Sequence, residues 1–159
     1  MVLAIPKLAT SELVTLAWIR DVVTAYDIAA GTTLQGPDPT TGILTWGDTG
    51  FVTTAVVGGS PRSHLPLRQP IMSVDCWATN VQKKQPPHGR ANMIAELIVA
   101  AAYDVANGDD GQRPVTLPAG FPVARVVGAV IQDEPKRVPG DESNYAHYVF
   151  QLAISWLAL

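Results

Sequence analysis

Residues 145–156 read YAHYVFQLAISW. Tyr148, Phe150, Leu152, Ile154 and Trp156 share one parity, while His147, Gln151 and Ser155 share the other. Side chains alternate across a strand, so this period of two specifies a β-strand with one face on a core and the other toward water. At about 3.3 Å per residue it extends roughly 40 Å, about twice an ordinary strand. Residues 121–132, rich in Val and Ala, have the spacing of a second strand, and the charged stretch 133–144 joins the two into a long C-terminal β-hairpin. So long a ribbon outruns one small core. The expectation is that part of it projects beyond the domain or pairs with a neighbouring chain, because an apolar edge left alone invites aggregation.

Outward from the hairpin, two segments carry helical spacing. Thr10 or Ser11 can cap a helix with Glu12 in its first turn, and Leu13, Leu16, Ala17, Val23 and Tyr26, widened by Trp18 and Val22, form its apolar stripe until Gly31 ends it. Ile94, Leu97, Ile98, Ala101 and Val105 define one face of a second helix, closed by Asn107 and Gly108. The segment 31–50 is dense in Gly, Pro, Asp and Thr and reads as a loop or short hairpin, with at most a short strand at 43–46. Two strands follow, FVTTAVVGG at 51–59 and IMSVDCWA at 71–78, where Met72, Val74, Cys76 and Ala78 alternate with Ser73 and Asp75. Residues 108–120 read as a loop. The fold class is therefore α+β, a mainly antiparallel β-sheet flanked by two helices packed on one face.

The 159 residues fit one domain, 1–159, and a chain of this size buries roughly 70% of the surface its unfolded form exposes. With 47% apolar and 16% charged residues it is too apolar for a disordered chain and lean in charge for a monomer, so some apolar surface is expected to face another subunit. A net charge of −3 argues against a surface given over to nucleic acid. The single cysteine, Cys76, cannot form an internal disulfide, which fits assembly in the cytosol. The N-terminal residues lack a leader pattern, and no run approaches the ~20 apolar residues of a membrane span, so no membrane partner is expected.

Catalytic and ligand motifs are weak. Asp133, Glu134, Asp141, Glu142 and His147 are the right types for acid–base work, but such work needs partners held in a desolvated pocket, which a loop tip does not supply. His64, His88 and His147 lie in separate segments without zinc-site spacing, Cys76 falls on an apolar strand face, and Gly58 and Gly59 are turn glycines that precede no helix. No catalytic, metal or cofactor site is expected. The 60–70 stretch SPRSHLPLRQP reads either as an ordered surface loop held by Pro61, Pro66 and Pro70, or as a preorganised docking patch of Arg62, His64, Leu65, Leu67 and Arg68. The other loop reads either as a plain solvated hairpin tip or as a docking surface with Asp133, Glu134, Lys136, Arg137, Asp141, Glu142 and Tyr145 as candidate interface residues, whose acids could complement the arginines in a head-to-tail ring.

Four segments carry a family resemblance: RDVVTAY at 20–26, VVGGSPRSHLPLRQPIMSVDCWA at 56–78, ANMIAELIVAAAYDVA at 91–106 and VIQDEPKRVPGDESNYAHYVFQLAISW at 130–156. In these the chain resembles the tail terminator, or tail completion, proteins of long-tailed bacteriophages, particularly those of actinobacterial phages. The resemblance implies a non-enzymatic virion protein forming a homo-oligomeric ring of six copies. Such a ring would end polymerisation of the tail tube protein and join the head–tail connector protein, with DNA passing through its lumen unheld. The alternatives are a small α+β ligand-binding or enzymatic domain using the acidic loop and His147, or a neighbouring connector component.

Overall fold

The computed structural model describes residues 2–61, 64–80, 82, 85–103, 111–140 and 144–159. Helix α1 spans Ser11–Val23 and α2 spans His88–Ala102. The strands are β1 Ala29–Gly31, β2 Phe51–Gly59, β3 Pro70–Thr79, β4 Arg113–Val115, β5 Ala124–Ile131, β6 Lys136–Arg137 and β7 Tyr145–Ala158. They form one sheet in the order β1-β2-β3-β7-β5-β4, with β6 also on β7, and every pairing is antiparallel except β1 with β2. The α+β class, the two helices and the C-terminal hairpin are as the sequence specifies.

Helix α1 starts where Thr10 accepts a hydrogen bond from the Leu13 N–H at 3.3 Å, and Glu12 sits where the unpaired N–H groups of the first turn favour an anion. It ends earlier than Gly31. Thr24 Oγ1 donates back to the Arg20 carbonyl at 2.6 Å, a 3-10 turn follows, and Asp27 takes the left-handed conformation at φ 56°, which releases the chain into β1. The buried stripe is Val14, Leu16, Ala17, Trp18, Ile19 and Val23, so Val14 and Ile19 replace Leu13 and Tyr26 of the expected face, and Tyr26 is exposed. In α2 the buried face is Ala91, Ile94, Ala95, Ile98 and Ala102, with Leu97 and Ala101 half-buried beside it. The expected close of this helix, with Val105, Asn107 and Gly108, lies outside the described residues.

Both helices lie on one face of the sheet. Met72, Val74, Cys76 and Ala78 of β3 and Ala146, Phe150, Leu152, Ile154 and Trp156 of β7 point into that face, as the alternation requires. Trp18 and Trp156 are buried with their indole N–H groups satisfied, Trp18 donating to the Gly111 carbonyl at 2.8 Å and Trp156 to Ser11 Oγ at 3.1 Å. Burial places Cys76 among apolar side chains and pushes its thiol far above its usual range, as expected of a packed hydrophobe.

The hairpin resolves differently from the expectation that part of it would project. Strand β7 is the central strand of the sheet and is paired along its whole length within its own chain. Residues 145–153 pair with β3 on one side, while 148–149 and 152–158 pair with β6 and β5 on the other. Its fourteen residues are long because they join two half-sheets. The antiparallel run opposite β7 breaks at residues 133–135 and resumes at β6, with Val138 N–H donating to the His147 carbonyl at 3.0 Å.

Two other expectations change. Residues 43–46 are not a strand; Trp46 is buried there in a turn, donating to the Gln35 carbonyl at 2.7 Å and packing on Phe51 and Tyr145. Arg113–Val115, expected as loop, is a three-residue strand on β5, and Ala29–Gly31 is a second short strand. Bulges interrupt β2 between Val56 and Gly58 and β5 between Val126 and Gly128.

Candidate interaction surface

The face of the sheet turned away from the helices carries the odd-numbered residues of β3 and β7. On it Asp75 accepts from Ser73 Oγ at 3.0 Å and pairs with His147 Nε2 at 2.6 Å. A carboxylate only accepts, so Nε2 carries the proton. The register sets this contact. Trp77 pairs with His147 across β3 and β7, which makes Asp75 the diagonal neighbour of His147. The Trp77 ring stacks on the imidazole at 3.8 Å with 10° between planes, and its indole N–H donates to Thr53 Oγ1 of β2 at 3.2 Å.

The chemistry of this cluster follows from its connectivity. Serine, aspartate and histidine are all present, but the hydrogen bonds run Ser73 to Asp75 to His147, with the acid in the middle. A histidine base must touch the hydroxyl it activates, and here the hydroxyl donates to the acid instead. The arrangement ties three strands together with polar side chains and fixes His147 between a carboxylate and an indole. Sequence reading had each half, since Ser73 and Asp75 alternate with the apolar residues of β3 and His147 lies on the polar parity of β7. The register that joins the halves is not readable from either strand alone.

The loop 60–69 connects β2 to β3 at the opposite end of β3. His64 and Leu65 are exposed and Leu67 is half-buried. Arg68 exchanges both backbone hydrogen bonds with Trp156, at 2.8 and 2.9 Å, and its exposed guanidinium lies 5.4 Å from the centre of the Trp156 ring. The loop is thereby stitched to the sheet at its base. Arg62 lies outside the described residues.

Of the second candidate loop, Asp133 is engaged internally. It accepts from the backbone N–H of Gln151 and pairs with Lys136 Nζ at 2.7 Å. Partial desolvation alone would raise its pKa, but the Lys136 hydrogen bond, the Gln151 N–H and the Lys136 charge outweigh it and hold the carboxyl below its ordinary value. Glu134, Lys136 and Arg137 are exposed. Burial and then the charge of Arg137 lower the pKa of His88 at the start of α2, which places Arg137 close to that helix end. Tyr145 is half-buried against Trp46, so it belongs partly to the fold. Asp141 and Glu142 lie outside the described residues. Among the described residues no group of three His, Cys, Asp or Glu side chains gathers in a way that would hold a metal ion.

The described residues of the two candidate loops therefore meet β7 at different points along its length. Arg68 sits at the Trp156 end of β7, Asp133 opposite Gln151 in its middle, and Asn144 at the Tyr145 end, where its carbonyl accepts from Thr79 Oγ1 at 3.2 Å. Comparison with protein-family models and with curated protein sequences gives no match.

Proposed function

We propose that this chain is a structural subunit of a bacteriophage tail that assembles head to tail into a ring of six copies, caps the tail tube and offers its other surface to the head–tail connector. The observation that carries the reading is the disposition of the two charged loops. Arg68 is tied to Trp156 near one end of the β3–β7 ribbon, whereas Asp133 stands opposite Gln151 in its middle and β6 runs on toward the Tyr145 end, so the two loops present separate surfaces, and in a ring Arg68 of one copy would meet the exposed Glu134 of the next. The sequence resemblance to tail terminators points the same way. Capping needs only binding: one surface matches the growing tube, and the other presents nothing that a further tube subunit recognises. The place of action would be the head-proximal end of the tail, after assembly in the host cytoplasm. DNA would pass through the lumen without a specific site.

The test is a mass measurement of the protein alone and mixed with tube protein, with tube lengths recorded by electron microscopy. Rings at tube ends and shorter, more uniform tubes are expected. A chain that stays monomeric in both samples and leaves tube length unchanged overturns the reading.

The Asp75–His147 pair favours a second reading, a ligand-binding or enzymatic domain that uses this cluster. His147→Ala separates the two. If the cluster only braces strands, the variant loses about 1–2 kcal/mol in urea unfolding, from the ring stack and a partly exposed charged hydrogen bond, and still assembles. A variant that assembles normally yet loses binding of a small molecule favours the second reading.

A further inference from the structure

We infer that residues 2–6 of one copy seat in an apolar groove of the next copy, between α2 and the turn that follows α1, and that this exchange links the ring. The inference rests on the ring reading above and adds the contact that would hold it. Residues 2–6 read VLAIP and carry no ionisable side chain. Val2, Leu3 and Ile5 are 99%, 78% and 93% exposed. Three large apolar side chains on one uncharged segment form the kind of surface a soluble chain covers with a partner.

The segment is anchored at its far end. Lys7 Nζ donates to the Ala119 carbonyl at 3.1 Å and lies 5.6 Å from the centre of the Phe121 ring. From Lys7 back to Val2, fully extended backbone reaches at most roughly 17 Å. That anchor belongs to the end of the sheet where Trp156 holds Ser11 at the start of α1.

The groove lies at the other end. It has a volume of about 520 Å³, its apolar walls are Tyr26, Ile28, Met93 and Leu97, and Asp48 and Arg90 also line it. Met93 is 73% exposed, high for a methionine on a helix that packs a core with its opposite face. Ile94, in the same wall, lies where a Cβ on Gly50 would go, beside the Trp77 carbonyl, and Trp77 pairs with His147. Nine residue steps along β7 lead from His147 to Trp156, about 30 Å of strand. The segment is too short to fill the groove of its own chain. Donor and acceptor at opposite ends of one molecule make a head-to-tail contact, and repeated head-to-tail contacts close into a ring when the rotation from copy to copy closes. An extended apolar strand with Leu and Ile anchors fits a groove with a methionine wall, because that side chain adapts to what packs on it.

The experiment is cysteine pairing. Ile5→Cys and Met93→Cys are combined in one chain, where the native Cys76 is buried and does not compete. On oxidation, a non-reducing gel should show a ladder of covalent oligomers. A mixture of the two single variants should stop at the dimer, which places the bond between copies. Deletion of residues 2–6 should raise the concentration for half-assembly at least about tenfold with an unchanged circular dichroism spectrum, the loss of a small set of anchor contacts. Three results overturn the inference: a deleted chain that assembles like its parent, a bond confined to single chains, or capture of Ile5→Cys by Val57→Cys, at an exposed residue of β2 outside the groove, and not by Met93→Cys. In the first of these rings still form, so the ring reading survives without the exchanged segment. A parent chain that does not assemble, together with a double-cysteine chain that does not cross-link, with or without tube protein, removes both.

Discussion

Where the run opposite β7 is interrupted at residues 133–135, the N–H of Gln151 faces a gap in the ladder, and the side chain of Asp133 fills it. Pro135, with no N–H of its own, follows within the same break. One carboxylate thus replaces a missing backbone acceptor and fixes Lys136 for the strand that resumes. Its pKa is lower in the folded chain than the usual value of about 3.9. The stability it contributes is therefore fully present above that value and is lost as pH falls through the lower, folded one. Asp133→Asn keeps an acceptor for Gln151 but not the charge for Lys136. It should cost less than about 1 kcal/mol at neutral pH, because Lys136 is exposed. The gap from the parent should close below about pH 4. Urea midpoints at several pH values check this, and a gap independent of pH would contradict it. The sequence flagged Asp133 by its charge and assigned it outward; its inward role depends on the strand break, which no local pattern announces.

At the scale of elements, the turn between β2 and β3 separates two adjacent glycines. Gly59 has φ 94°, and a Cβ there would come within 3 Å of backbone atoms of Gln69, Pro70 and Ile71. Gly58 lacks a positive φ, and the nearest atoms to its would-be Cβ are 3.8 Å away on the Ile71 side chain. Gly59→Ala should therefore cost several kcal/mol, about 2–4, from left-handed strain together with a backbone clash, whereas Gly58→Ala should change stability by less than about 1 kcal/mol. Thermal or urea unfolding of the pair decides it, and equal losses would contradict the assignment. Strands β3 and β7 were legible because each shows its period of two over ten or more residues. Strands β1 and β4 were not, since three residues hold no period, and Pro114 in the middle of β4 reads locally as loop. The end of α1 was misread for a related reason: Asp27 in the left-handed conformation stops the helix four residues before the glycine that composition offers as the stop.

For the whole molecule, the length of β7 measures the sheet it centres rather than a reach toward neighbours, and the candidate contacts shift to its ends. Arg68 is the best placed of the arginines, held at its backbone by Trp156 and exposed at its head. Arg68→Glu should raise the concentration for half-assembly about tenfold or more while costing under about 1 kcal/mol of fold stability, the value of an exposed ring contact. Sedimentation and urea unfolding of the same variant separate the two effects, and unchanged assembly would remove Arg68 from the interface. The bulges in β2 and β5 have a consequence for handling the protein at high concentration. Beyond the short strands β1 and β4, no further strand pairs with either sheet margin among the described residues, and a bulge kinks each of them. Kinked, over-twisted margins from separate molecules cannot lie flat along one another, so the ladder that seeds amyloid has no straight template on which to grow. A concentrated stock is expected to stay free of thioflavin-positive fibres, and whatever lattices it forms should dissolve on dilution.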